Sequence, residues 1–60
     1  MPYWIMIQRN GERNPLYSVN TLNEAKKEIE KQVSAWKAQG MKVPDYFVFY
    51  GKELVFSTIK

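Results

Sequence analysis

Apolar residues near the start of the chain occupy both parities of a strand. From Tyr3 to Gln8, the residues Tyr3, Ile5 and Ile7 share one face and Trp4 and Met6 share the other. The far end repeats the pattern as a hairpin turning at Gly51-Lys52. Phe47, Phe49, Leu54 and Phe56 fall on one face, and Tyr46, Val48, Tyr50, Val55 and Ile59 on the other. Between the two, Leu22, Ala25, Ile29, Val33 and Trp36 recur at spacings of three and four, which gives a helix with a single apolar stripe. One one-sided helix covers one sheet face, so an apolar face is left over.

The punctuation supports this order. Asn10-Gly11 predicts a tight hairpin, because both central residues of a type I′ turn need positive φ. Such a turn sets Ile5 opposite Leu16 and Trp4 opposite Tyr17; a longer loop through Asn14 would exchange the faces. Pro15 has no N–H to donate, which places the return strand, Leu16 to Val19, at a sheet edge. Thr21-Leu22-Asn23-Glu24 fits a capping box at the helix start. Gly40 is placed as its left-handed stop, with Met41 packing back on Trp36. Lys42-Val43-Pro44 then leads into a strand from Asp45 to Tyr50. The expected fold is α+β, a single ββαββ domain over residues 1–60, with a four-stranded, mostly antiparallel sheet and one helix on one face. Apolarity on both sides predicts that the first and fourth strands are central.

The helix stripe is expected to cover Phe47, Phe49, Leu54 and Phe56. Tyr46, Val48, Tyr50, Val55 and Ile59, joined by Trp4 and Met6, then form the expected partner-binding surface, since large apolar patches are seldom left bare and Tyr and Trp suit interfaces. In this reading Asp is tolerated by the fold at Tyr46 or Val48 and unfolds the chain at Phe49 or Leu54. The function expected is a non-enzymatic protein-binding module, either a homodimer or an inhibitor or regulator of an unidentified protein target. Small chains without catalytic inventory are often products of phages or other mobile elements that bind a host protein.

Charge adds an alternative. The nine basic residues give a net charge of +3 but are scattered along the chain. Trp4, Tyr17, Tyr46 and Tyr50 could stack unpaired bases while Arg9, Arg13, Lys42 and Lys52 hold phosphates of a single strand. With no Cys and no His, disulfides, the commonest metal ligands and the usual neutral-pH base are excluded, so neither a metal nor a cofactor is expected. Ser18, Ser34 and Ser57 have no histidine partner, and the helix carboxylates are accounted for by capping and by pairing with lysines. No stretch approaches the roughly 20 apolar residues of a membrane span, and Met1 to Ile7 lacks the parts of a signal peptide. A cytoplasmic protein is expected.

The Met1-Pro2 start, the first strand, the helix and the chain length resemble the small tautomerases. That resemblance implies Pro2 as a general base within an oligomer, and carboxylate binding by Arg9 or Arg13. The chain departs from that family where a full hairpin intervenes before the helix and a second hairpin ends it.

Overall fold

The computed structural model describes residues 2–59. Its elements follow the expected order: β1 (Tyr3–Arg9), β2 (Glu12–Val19), α1 (Leu22–Ala38), β3 (Asp45–Tyr50) and β4 (Glu53–Ser57). The four strands form one antiparallel sheet in the order β2-β1-β3-β4, and α1 packs across β2, β1 and β3. β1 is central and β2 lies at an edge, as Pro15 requires. The expectation for β4 is corrected: the central partner of β1 is β3, and β4 is the second edge.

Local chemistry explains the boundaries. Asn10 (φ 53°) and Gly11 (φ 82°) both take the left-handed region, so β1 returns directly into β2 with Arg9 opposite Glu12. β2 therefore begins at Glu12, earlier than the expected Leu16. The Thr21 hydroxyl accepts from the Glu24 N–H at 3.1 Å and caps the helix. At the other end, the Met41 N–H reaches the Trp36 carbonyl at 3.1 Å and the Gly40 N–H reaches Lys37 at 3.0 Å, with Gly40 at φ 69°. These are the paired bonds of a Schellman stop.

Each hairpin contains a bulge, and the bulges decide which side chains meet. In the first, Met6 pairs with Pro15 but Ile5 pairs with Tyr17, so Leu16 is the extra residue. In the second, Phe49 pairs with Leu54 but Val48 pairs with Phe56, leaving Val55 extra. Neither register weighed from the sequence contained this step. Beyond each bulge the strand parity changes by one, which brings Tyr17 opposite Ile5 and Phe56 opposite Val48.

The core lies between α1 and the face carrying Ile5, Tyr46 and Val48. Ile5, Ala25, Ile29, Tyr46 and Val48 are buried together, with Tyr3, Ile7, Val19, Leu22, Val33, Trp36, Val55 and Phe56 packed against them. The helix stripe is the predicted one. Apart from Phe56, which packs against the core as expected, the sheet face is the opposite of the expected one: Tyr46 and Val48 are at 0% exposure, whereas Leu54 is at 49%. Hydrogen bonding is the reason. The Trp36 indole N–H donates to the Tyr46 hydroxyl at 2.9 Å, and that hydroxyl donates to Gln32 Oε1 at 3.5 Å. A buried phenol is costly without partners, and α1 supplies them.

The mutational expectation reverses accordingly. Val48→Asp places an unpaired carboxylate in the core, at a cost of several kcal/mol against the few that a chain this small commands, and should abolish cooperative urea unfolding. Leu54→Asp should leave the unfolding free energy of the monomer, measured at a concentration too low for association, within about 0.5 kcal/mol of the parent. Tyr46→Phe strands the Trp36 N–H and should cost about 1–2 kcal/mol in the same assay.

The helix-free sheet face as candidate functional site

Strand alternation and the observed registers set three rows of side chains on the face away from α1. Ser18, Trp4, Phe49 and Leu54 form one row; Pro15, Met6, Phe47 and Ser57 form the next; Arg13, Gln8 and Asp45 form the third. Trp4 is 42% exposed. Phe47, by contrast, is only 5% exposed although no helix covers it. The Arg13 guanidinium lies 4.2 Å from the Phe47 ring centre and 5.9 Å from that of Phe49, and it donates to Gln8 Oε1 at 3.3 Å. Arg13 thus reaches from the edge strand across the sheet and roofs Phe47. A cation over an aromatic face in this setting contributes about 0.5–2 kcal/mol.

Of the expected partner-binding residues, Trp4 and Met6 are on this face. The others are not. Tyr46 and Val48 are core, Val55 is packed against the core, and Tyr50 stands beside Tyr3 on the helix side with ring centres 4.7 Å apart. Ile59 is exposed beyond the end of β4. Phe47, Phe49 and Leu54 take their places. The signal that could have found them is the parity of β3 against β1: pairing Ile5 with Val48 necessarily pairs Met6 with Phe47.

The residues expected to bind a nucleic-acid strand are dispersed. Arg13 is on the helix-free face. Arg9 lies 4.8 Å over the Trp36 ring on the helix side, and with Lys42 it lines a cleft of about 370 Å³ between the β1–β2 turn and the end of α1. Lys52 sits in the β3–β4 turn. The Tyr17 hydroxyl donates to Glu28 Oε2 at 2.7 Å, against the helix. Pro2 immediately precedes β1, whereas Arg9 ends it and Arg13 follows the turn. At about 3.3 Å per residue, the length of β1 separates Pro2 from both arginines by roughly 20 Å. Met1 lies outside the described residues. Among the described residues no group of three His, Cys, Asp or Glu is placed to hold a metal ion, and no helix is long and apolar enough to cross a membrane.

No protein-family model, curated protein or solved structure matches this chain.

The acidity of Tyr17 is shifted by its surroundings. Partial burial, then the hydrogen bond to Glu28 and the charge of Glu28, raise its hydroxyl above the ordinary phenol value of 10.0. A group whose folded pKa is raised gives stability that is complete below the unfolded value and is lost as pH rises through the folded one. Stability should therefore fall above about pH 10. Thermal melts of Tyr17→Phe between pH 8 and 11 should show a shallower decline than those of the parent chain.

Proposed function

We propose that this protein is a non-enzymatic protein-binding module that acts through its helix-free sheet face. The observation that carries this reading is the composition of that face. Trp4, Met6, Phe49 and Leu54 form a contiguous apolar surface, and its charged strand residues are one cation, Arg13, and one anion, Asp45. Apolar patches of this kind mark association sites, with Trp and Arg the residues most often found at their energetic centres. The edges are poorer candidates. β2 carries Pro15 and a bulge, and β4 is short and bulged, both of which interrupt the row of free backbone groups that strand addition needs.

The partner is a second copy or a protein target that the module inhibits or regulates, in a cytoplasmic setting; a mobile-element origin suits such a role. Single-stranded nucleic acid is the second reading, favoured by the placement of Trp4, Phe47 and Phe49 on the two central strands beside Arg13. A net-neutral face supports protein over phosphate backbone, because phosphate binding draws on several cations. A tautomerase reading gains nothing from Pro2 and the arginines standing at opposite ends of β1.

A photoreactive amino acid incorporated in the producing cell at Trp4 or Leu54, and separately at Lys27 or Glu30 on the helix, tests the face. Protein crosslinks from positions 4 and 54 are expected. Crosslinks confined to the helix positions would refute the assignment. Crosslinks from position 4 to nucleic acid alone, with affinity for a single strand falling steeply with salt, would favour the second reading.

A further inference from the structure

Resting on the reading of the helix-free face as a protein interface, we propose that its occupant is a second copy of this chain, held in register by reciprocal pairing of Arg13 on each copy with Asp45 on the other. Arg13 is no ordinary surface cation. Its guanidinium carbon lies 4.2 Å from the Phe47 ring centre and one of its N–H groups is anchored by Gln8, so its position is set before any partner arrives. Within the described residues it forms no ion pair, and neither does Asp45; the ion pair present there joins Lys31 to Glu28 on the helix. A guanidinium has five N–H donors in a fixed plane and suits a carboxylate held edge-on. Gln8 takes one of these donors, and among the described residues the others have no hydrogen-bond partner.

The carboxylate that the face itself provides is Asp45. Gln8 pairs with Arg13 on one side and with Asp45 on the other, so the two residues lie in one row; the guanidinium itself extends over Phe47, two residues along β3 from Asp45. The remaining charged strand residues, Arg9, Glu12 and Glu53, fall on the helix side by the same registers. A face with a single cation and a single anion, each unpaired, is self-complementary under a two-fold axis: if Arg13 meets Asp45 of the copy, Asp45 meets Arg13 of the copy. The rest of the strand surface is uncharged, with Trp4, Met6, Phe49 and Leu54 as its apolar part, and would pack sheet on sheet about 10 Å apart. The excess positive charge of the chain, +3 in all, sits elsewhere and does not oppose the contact.

Charge reversal tests the pair. Sedimentation equilibrium of the parent chain should show a dimer. Arg13→Glu and Asp45→Arg should each raise the dissociation constant at least tenfold, because each sets like charges together at both ends of the interface. An equimolar mixture of the two variants should form a heterodimer about as tight as the parent homodimer, since both of its pairs are again opposite in sign. The double variant in one chain should likewise recover, and circular dichroism of each variant confirms the fold. A monomeric parent at all concentrations would overturn this inference and leave the crosslinking test to decide the face. A parent dimer whose reversed variants gain nothing on mixing would refute the Arg13–Asp45 pair and leave the face standing.

Discussion

The buried hydroxyl of Tyr46 decides how the two layers of this protein meet. A phenol at 0% exposure must find partners inside the fold, and the partners near it, Trp36 and Gln32, are on α1. The strand is held equally firmly on its other side. The Tyr46 N–H donates to Thr58 Oγ1 at 2.9 Å, and the Thr58 N–H donates to the Tyr46 carbonyl at 3.0 Å. One residue therefore joins the helix, the central strand and the end of the last hairpin. Once Tyr46 points at α1, the alternation of a strand sends Val48 the same way and turns Phe47 and Phe49 to the opposite face.

The two bulges complete that choice. Each moves the strand beyond it by one residue, and each brings an aromatic to the helix side: Tyr17 opposite Ile5, and Phe56 opposite Val48. Tyr17 then reaches Glu28, and Phe56 lies beneath Lys26, whose ammonium is 5.3 Å from the ring centre. The same irregularities bend both edges of the sheet and break their runs of free backbone donors. Core packing and edge protection are thus achieved by the same two extra residues, and the apolar surface left over is gathered on the helix-free face.

Much of this architecture was legible in the chain. Asn10-Gly11, Thr21 with Glu24, and Gly40 with Met41 each have a local geometric reason to be where they are, and the helix stripe from Leu22 to Trp36 is the one that packs. The choice of sheet face was not legible from hydrophobicity. Both faces of the last hairpin are apolar, so periodicity alone does not choose between them; the folded chain buries the face with Tyr46, whose hydrogen-bonded phenol brings both its ring and a fixed orientation to the layer contact. Bulges are equally invisible to alternation, which groups Phe56 with Phe47, Phe49 and Leu54 although it lies opposite Val48; Val55 follows Tyr46 and Val48, and apolarity on both faces places β4 at the centre of the sheet. The apolar side chains of β4 are explained by an apolar face that extends to the sheet edge, not by a neighbouring strand. Of the candidate site, Trp4 and Met6 follow from the parity of β1 alone. Phe47 and Phe49 require the β1–β3 register, which pairs residues as distant as Tyr3 and Tyr50, and Leu54 requires the β3–β4 register as well.

Arg13 links the energetics of the monomer to the behaviour of its open face. On an isolated sheet Phe47 would be the most apolar exposed residue at the centre of that surface. The guanidinium laid over it reduces its exposure to 5% without adding an element of secondary structure. Arg13 itself stays exposed, so a planar, weakly hydrated cation stands over the buried ring and is open to an approaching surface. Trp4 and Leu54, at 42% and 49% exposure, have no such roof and supply the apolar area that contact would bury. The face is therefore divided between a centre already partly desolvated and a flank that is not. A partner that offers a carboxylate to the first and an apolar surface to the second matches both halves.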